Sequence, residues 1–219
     1  MSVSYLLPMH LRTFLLAAAL MPAFLQLNAA DTVKTDPATT SKSAAATQKL
    51  VVGGGCFWCI EAVFQRVDGV KKVVSGYSGG TLPNPTYEQV CAKDTGHAEV
   101  VRVEFDPAKL KLDTLLDVFF AAHDPTTPNQ QGADKGPQYR SVIFYANGEQ
   151  KQAADASKVR AKKEWGKTIV TEISPLKEFY DGEAHHQNYF NLNKNRNPYC
   201  SVVIAPKLHK LIEKGVIKE

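Results

Sequence analysis

Residues 49–64 of the chain read Lys-Leu-Val-Val-Gly-Gly-Gly-Cys-Phe-Trp-Cys-Ile-Glu-Ala-Val-Phe. The apolar run at the start of this stretch is typical of a strand, and the glycines that follow allow the backbone to turn sharply. After the glycines, apolar side chains recur at helical spacing at Phe57, Ile60 and Phe64. The stretch therefore predicts a strand, a tight turn and a helix, with Cys56 where the helix begins.

The flanking sequence extends this unit into a sheet covered by helices. Residues 72–77 form a second predicted strand, and apolar residues that alternate with charged ones up to Phe105 predict a half-buried third strand. Helical periodicity covers residues 112–122, and a fourth strand over residues 141–145 ends at Asn147-Gly148, a tight-turn signal. The order β-α-β-β-α-β predicts an α+β fold with a ferredoxin-like split βαβ core.

The core is followed by a predicted extension of helices and coil. Its predicted elements are a polar helix at 149–164, a strand at 168–173 and helical pieces near 183–191 and 206–214.

Composition and charge restrict the class of protein. The chain has 219 residues, 44% of them hydrophobic and 22% charged, which is ordinary for a globular protein. Its net charge of +4 is small and scattered, so it gives no support for nucleic-acid binding. Four cysteines are too few for a disulfide scaffold of this length and favour thiols with a chemical role.

The first residues have the pattern of an export signal. A positively charged start precedes an apolar run from Phe14 to Leu25, and Asn28-Ala29-Ala30 offers a small-residue cleavage site. We therefore expect a secretory signal peptide at residues 1–30, a flexible tether at 31–48 and a catalytic domain at 49–219. Export implies a periplasmic or cell-envelope location, where thiols are oxidised unless a reductant is supplied.

Cys56 is the candidate nucleophile. A helix start offers unpaired N–H groups and a partial positive charge, which should lower the pKa of a thiol there, and a glycine-rich turn should expose it. Cys59 completes a Cys-x-x-Cys spacing, for which a redox disulfide, metal ligation and coincidence all stay open. Phe57 lies on the apolar stripe of the helix, whereas Trp58 does not and is free to face a cleft.

Six segments in order give a specific resemblance to a known family. They are Gly-Gly-Cys-Phe-Trp-Cys-Ile-Glu (54–61), Val-Ser-Gly-Tyr-Ser-Gly-Gly (74–80), Asn-Pro-Thr-Tyr-Glu-Gln-Val-Cys (84–91), Thr-Gly-His-Ala-Glu-Val-Val (95–101), Gln-Gly-Ala-Asp-Lys-Gly-Pro-Gln-Tyr-Arg-Ser (131–141) and His-Gln-Asn-Tyr-Phe (186–190). From about residue 49 to residue 206 the sequence resembles an A-type peptide methionine sulfoxide reductase.

The resemblance implies a role for each matched residue. It makes Cys56 the nucleophile, gives the substrate methyl a pocket at Phe57 and Trp58, and makes Glu99 the proton donor. The remaining implied site residues are two hydroxyls that bind the sulfoxide oxygen, an acidic residue that orders a hydroxyl or water, and a motif histidine kept outside the catalytic set: Tyr87, Tyr139, Asp134 and His186.

The resemblance also implies the reaction and its partners. The substrate would be methionine sulfoxide, free or in oxidised proteins, with a preference for the S epimer. The enzyme would be a monomer that uses no cofactor or metal and is recycled by a thioredoxin-like dithiol reductant.

One observation supports Glu99 independently of the resemblance. Alternation along the third strand puts Glu99 on the same face as Val101 and Val103, which is the apolar face. An unpaired carboxylate is costly there, and burial raises the pKa of a carboxyl, as a general acid near neutral pH requires.

The resolving cysteine is the point where the pattern departs from many family members. They carry it in a glycine-rich C-terminal tail, which this sequence lacks. Cys200 is the first candidate because a segment near the chain end can move towards Cys56, and Cys59 is its rival. Cys91 is expected to be buried and inert.

Two other functions remain open at this stage. One is a general thiol–disulfide oxidoreductase that uses the Cys56–Cys59 pair and needs none of the carboxylate and tyrosine set. The other is a metal-binding or redox-sensing module that uses Cys56, Cys59 and His186.

Overall fold

The computed structural model describes residues 46–219. The predicted signal peptide and the tether up to residue 45 lie outside the described residues. The first strand begins at Gln48, one residue before the predicted start of the catalytic domain. Across the described range, no helix has the length and apolar character needed to cross a bilayer.

The described chain contains eight strands and six α-helices. The strands are β1 (Gln48–Gly53), β2 (Val70–Ser78), β3 (Ala98–Phe105), β4 (Gln130–Gln131), β5 (Asp134–Lys135), β6 (Val142–Tyr145), β7 (Glu172–Pro175) and β8 (Phe179–Asp181). The helices are α1 (Phe57–Phe64), α2 (Tyr87–Cys91), α3 (Leu112–Ala122), α4 (Gly148–Trp165), α5 (Tyr189–Asn193) and α6 (Ala205–Glu213). Single 3-10 turns at Pro137–Tyr139 and Ala184–His186 and a π-helical turn at Cys200–Ile204 complete the order.

Six strands form one sheet in the order β7-β6-β1-β3-β2-β8. Strand β3 lies between β1 and β2 and is antiparallel to both, so that β1, α1 and β2 make a split βαβ unit. Strand β6 pairs antiparallel with β1 and parallel with β7. The predicted ferredoxin-like core is therefore confirmed, and β7 and β8 extend it at the two edges.

The main core lies between α1, α3 and one face of the sheet. It buries large side chains from all three, among them Phe57, Phe64, Phe105 and Phe119. A smaller apolar cluster on the other face joins residues of β1, β3 and β6 to the segment between β7 and β8. Because α1 packs over β2 and β3, its first residues lie directly above the sheet.

Several predicted elements need correction. The Asn147-Gly148 pair is not a tight turn: the Asn147 side chain accepts the Gln150 N–H and caps α4. Asn favours both roles, so local sequence could not separate them. The strand predicted at 168–173 begins only at Glu172 and ends at Pro175, and α2, β8 and the β4–β5 hairpin were not predicted.

Candidate active site

Cys56 stands at the junction between β1 and α1, held there by close backbone packing. A side chain at Gly54 would place its Cβ 2.8 Å from the His123 ring, and Gly55 has a φ of +92°. Both positions therefore need glycine, the first for close approach and the second for a left-handed backbone. The turn delivers Cys56 to the N-cap of α1.

The environment of Cys56 differs from the sequence prediction in two respects. The residue is buried, with 7% of its surface exposed. Burial raises the pKa of the Cys56 thiol well above its ordinary value, and the hydrogen bond with Cys59 and the charge of Glu99 add to this effect. The predicted lowering of the Cys56 pKa by the helix start is therefore not found, because burial outweighs it. One N–H of the helix start, that of Phe57, donates to Glu99 Oε2 at 3.0 Å.

The thiol groups of Cys56 and Cys59 titrate as a coupled pair. Their thiol groups are hydrogen-bonded, and this bond lowers the pKa of Cys59 to about 7, although burial acts in the opposite direction. The charge of Lys207 lowers it further. One negative charge is therefore available to the pair near neutral pH, and the second proton is held firmly because two adjacent thiolates would repel each other.

Glu99 lies on β3 directly behind the start of α1, on the apolar face as alternation predicts. Only 2% of the residue is exposed. Burial raises the pKa of the Glu99 carboxyl to about 8, and the negative charges of Asp134 and Cys59 act in the same direction, against the hydrogen bond from Phe57. The carboxyl therefore keeps its proton at neutral pH, within the electrostatic influence of the thiol pair.

The two predicted tyrosine hydroxyls belong to the same site. Tyr87 begins α2, and its ring stacks on Phe57 with 6.2 Å between ring centroids. Tyr139 ends the 3-10 turn after β5. Burial raises the pKa of both phenols, and the charge of Glu99 raises both further. Both phenols therefore remain protonated hydrogen-bond donors at neutral pH.

Trp58 is only partly buried, and the C-terminal segment fixes its orientation. Its ring stacks face to face on Tyr189 at a centroid distance of 3.7 Å with 6° between the planes. Its indole N–H donates to His186 Nδ1 at 3.2 Å. Phe57, Trp58, Tyr87 and His186 thus form an aromatic cluster beside Cys56.

Asp134 lies on the side of the thiol pair that Cys59 occupies. Its carboxylate accepts a hydrogen bond of 2.7 Å from the Tyr199 hydroxyl, and that oxygen lies 3.7 Å from Cys59 Sγ. Both residues line a cavity of about 170 Å³ that also reaches Cys56, Cys59 and Lys207. Asp134 therefore orders a tyrosine hydroxyl next to a thiol.

The other two cysteines, Cys91 and Cys200, lie in different settings. Cys200 is fully buried in the π-helical turn, and among the described residues the thiol that hydrogen-bonds to Cys56 is Cys59. The preference for Cys200 as the first resolving candidate therefore gains no support from this arrangement. Cys91 is half-exposed rather than buried, and it shares a hydrogen bond with the Tyr87 hydroxyl.

Sequence reasoning did not assign roles to four residues around the site. They all lie in the C-terminal segment: Glu183, Tyr189, Tyr199 and Lys207. Tyr189 falls within the matched segment at 186–190, so the signal was present there. Glu183 and Tyr199 lie in irregular or polar stretches without a periodicity to mark them, whereas Lys207 lies on the amphipathic helix α6, where its charge alone does not indicate a role.

The described residues give no cluster for a metal. Within 46–219, no group of three or more His, Cys, Asp and Glu side chains is arranged so that it could hold an ion. His186, the third member of the suggested metal module, uses Nδ1 to accept a hydrogen bond from Trp58.

Comparison with known sequences agrees with this chemistry. The family model described as peptide methionine sulfoxide reductase matches residues 48–219. The peptide methionine sulfoxide reductase MsrA of Acinetobacter baumannii is 55% identical over 167 residues, which cover 76% of this chain and 95% of that protein. MsrA of Nautilia profundicola is 53% identical over 165 residues, covering 75% of this chain and 94% of the relative.

Solved structures of methionine sulfoxide reductases are also similar to this chain. Mxr1 from Saccharomyces cerevisiae in reduced form matches with a TM-score of 0.66 and 36% identity, over 76% of this chain and 92% of that one. Methionine sulfoxide reductase A of Corynebacterium diphtheriae matches with a TM-score of 0.62 and 36% identity, over 67% and 75%. This chain belongs to the peptide methionine sulfoxide reductase family.

Proposed function

We propose that the protein catalyses thiol-dependent reduction of methionine sulfoxide to methionine, with Cys56 as nucleophile and Glu99 as proton donor. The observation that carries this proposal is the buried Glu99 carboxyl, whose pKa is raised to about 8 beside a hydrogen-bonded thiol pair. Reduction of a sulfoxide needs a sulfur nucleophile and a proton for the departing oxygen at the same place.

The thiol pair supplies the nucleophile although the pKa of Cys56 is raised. Cys59 carries the negative charge near neutral pH and is hydrogen-bonded to the Cys56 thiol. When the sulfoxide sulfur approaches, Cys59 accepts the Cys56 proton across this bond, so that Cys56 attacks as a thiolate. Cys59 thus takes the role of the adjacent base that activates a weak nucleophile.

The acid and the hydroxyls act on the oxygen. Glu99 gives its proton to the sulfoxide oxygen as the S–O bond of the substrate breaks, and Tyr87 and Tyr139 donate hydrogen bonds to the same oxygen. The phenols polarise the bond without losing a proton, because their pKa values are raised. The protonated oxygen leaves the substrate as hydroxide while a bond forms between Cys56 and the substrate sulfur. The hydroxide then attacks the Cys56 sulfur and breaks that bond, which leaves methionine and a Cys56 sulfenic acid.

The aromatic cluster supplies the apolar part of the substrate site. Phe57 and Trp58 directly follow Cys56 in the chain, their ring centroids lie 6.0 Å apart, and we assign them to the methyl group on the substrate sulfur. With the oxygen held by hydroxyls and the methyl held by rings, a single sulfur configuration fits, and we assign it to the S epimer on the basis of the family resemblance.

We infer that Cys59 resolves the sulfenic acid. Its thiol attacks the Cys56 sulfur, a Cys56–Cys59 disulfide forms and water leaves. Two observations support Cys59 over Cys200: its hydrogen bond to Cys56 and its lowered pKa, whereas burial raises the pKa of Cys200. A thioredoxin-like dithiol protein then reduces the disulfide by thiol exchange, which returns both thiols.

The geometry favours this function over a general thiol–disulfide oxidoreductase. Cys56 and Cys59 expose 7% and 2% of their surfaces, and a narrow site of this kind suits the end of one methionine side chain. Thiol exchange would also leave the buried acid and both tyrosines without a use.

We also propose that the protein acts outside the cytoplasm, in the periplasm or cell envelope. The proposal rests on the signal-like sequence of residues 1–30. Detection of a mature chain that begins near residue 31 in the envelope fraction of cells producing the full chain would support it, and an uncleaved chain in the cytoplasmic fraction would contradict it.

The test of function compares matched cysteine variants on both sulfoxide epimers. The wild-type enzyme should reduce the S epimer and then contain a Cys56–Cys59 disulfide by peptide mapping. Cys56→Ser should form no methionine. Cys59→Ser should form one equivalent per enzyme and accumulate a sulfenic acid that a dimedone probe labels, whereas Cys200→Ser should behave as wild type.

Two results would contradict these assignments. A Cys56–Cys200 disulfide after one turnover would overturn resolution by Cys59. Reduction of insulin disulfides without methionine formation from either epimer would overturn the proposed function and favour the general oxidoreductase.

A further inference from the structure

Glu183 lies next to two members of the aromatic cluster, Tyr87 and His186. Its Oε1 accepts the backbone N–H of Tyr87 at 2.7 Å, at the first residue of α2. Its Oε2 accepts the Tyr77 hydroxyl at 2.8 Å and lies 3.9 Å from His186 Nε2. Burial would raise the pKa of Glu183, but the hydrogen bonds from its own backbone N–H, from Tyr87 and from Tyr77 outweigh burial and lower the pKa, so the group is a carboxylate at neutral pH.

His186 occupies the space between this carboxylate and Trp58. The residue is 3% exposed, and its Nδ1 accepts the Trp58 indole N–H. An imidazole that accepts at Nδ1 is neutral and carries its proton on Nε2, and this buried N–H has no hydrogen-bond partner. The nearby negative charge of Glu183 favours this tautomer, because it faces the N–H dipole.

We propose that Glu183 and His186 are positioning residues that fix Trp58 and Tyr87 for substrate binding. The inference rests on the proposed function. Glu183 holds Tyr87 directly through the backbone and holds Trp58 through the His186 ring. His186 acts through Trp58, which binds the substrate, whereas Glu183 also acts through Tyr87, whose hydroxyl donates to the sulfoxide oxygen.

The arrangement explains why Trp58 needs a second restraint. Tyr189 stacks on one face of the indole, which fixes the plane of the ring. Stacking alone does not fix where the indole N–H lies within that plane. The hydrogen bond to His186 removes this freedom. Without it the indole N–H loses a buried acceptor, a penalty that corresponds to about a tenfold loss in affinity for the correctly positioned state.

Two substitutions at His186 separate positioning from packing. His186→Phe keeps a ring of similar size but removes the acceptor, whereas His186→Asn loses the ring but keeps an oxygen near the position of Nδ1. We expect KM for methionine sulfoxide to rise about tenfold in His186→Phe with kcat within about twofold of wild type. His186→Asn should recover most of the KM, and His209→Asn, at an exposed histidine on α6, is the matched control.

A double-variant measurement tests the connection to Glu183. Glu183→Gln keeps an oxygen for the Tyr87 N–H but places an amide N–H₂ towards His186 Nε2–H, which disfavours the tautomer that binds Trp58. KM should rise as in His186→Phe, and the double variant should bind no more weakly than His186→Phe alone.

A spectroscopic measurement keeps this inference separate from the proposed function. The chain has two tryptophans, so Trp165→Phe leaves Trp58 as the single emitter. In that background His186→Phe should lower the fluorescence anisotropy of Trp58, and His186→Asn should restore it, whatever the substrate is.

The outcomes are distinct. Unchanged anisotropy and unchanged KM in His186→Phe would overturn the positioning role. Equal losses of kcat and of folded protein in both His186 variants would show a structural role and also overturn it. Loss of all sulfoxide turnover in the wild type, with the anisotropy change intact, would overturn only the proposed function.

Discussion

Replacing Glu99 with Gln should make the protein more stable relative to wild type as the pH rises. The same substitution should nearly abolish the reduction of methionine sulfoxide. Gln has almost the shape of Glu, and its amide oxygen can still accept the Phe57 N–H that Glu99 accepts at 3.0 Å. What the substitution removes is the titrating proton. The variant therefore isolates the consequences of a buried acid from those of its packing.

The magnitude follows from the raised pKa. The folded state holds the Glu99 proton with a pKa of about 8, against an ordinary value of 4.5. Because the folded state binds this proton more tightly than the unfolded state, the wild type loses stability as pH rises between those two values. One pKa unit corresponds to about 1.4 kcal/mol, so the full loss approaches about 5 kcal/mol above pH 8.

The glutamine side chain of the variant does not titrate, so the stability difference between Glu99→Gln and wild type should grow with pH. Between pH 5 and pH 8 the gain is about 3–4 kcal/mol, on the assumption that the unfolded carboxyl behaves as an ordinary one. The amide N–H₂ group of the introduced glutamine is buried without a partner and costs about 1–3 kcal/mol at every pH. This cost changes the size of the stability difference but not its dependence on pH.

The assay is urea unfolding of both proteins under reducing conditions at several pH values in this range. Glu164→Gln, which removes an exposed carboxylate from α4, is the matched control and should give a difference that changes little with pH. The Glu99→Gln variant should also slow methionine formation in a single turnover by about 10²–10⁴-fold, the contribution of a general acid.

Either of two results would refute the reasoning. A stability difference independent of pH would mean that Glu99 is ionised in the folded protein at neutral pH. Single-turnover rates equal to wild type would mean that the sulfoxide oxygen receives its proton from another group.

Two further substitutions test the turn and the thiol pair. Lys207→Met should raise the pKa of Cys59 by up to about one unit, because the lysine charge lowers it, and ultraviolet thiolate absorbance against pH would detect the shift. Gly54→Ala should destabilise the protein by about 1–3 kcal/mol in urea unfolding, since its Cβ would lie 2.8 Å from the His123 ring; Gly148→Ala, where nothing lies within 4 Å, should be neutral or slightly stabilising.

Sequence patterns predicted the elements whose periodicity reflects a single buried face. The helix Leu112–Ala122 was predicted at its observed bounds because its leucines and phenylalanine follow a regular stripe into the core. The burial of Glu99 followed from strand alternation, which places side chains on alternate faces without regard to their polarity. In both cases local geometry alone determines the outcome.

The errors arise where a distant partner decides the chemistry. The acidity expected for Cys56 is reversed by its burial in the folded protein, and the charge of Glu99, which is distant in sequence, adds to this effect. The residues that surround Trp58 come from an irregular C-terminal stretch, where no regular spacing marks Glu183 or Tyr199. Turn residues, motifs and periods describe a chain locally and do not contain such contacts.

The acid and the nucleophile in this site depend on each other electrostatically. The negative charge of Cys59 is among the causes that raise the pKa of Glu99, and the charge of Glu99 is among those that raise the pKa of Cys56. A buried site tolerates few charges, so a thiolate in the pair keeps the proton on the carboxyl. Formation of the Cys56–Cys59 disulfide removes the thiolate and with it one reason for the raised pKa of Glu99. The pKa of Glu99 is then lower until the reductant regenerates the two thiols. Glu99 therefore holds its proton most firmly when the Cys56 nucleophile is available for the reaction.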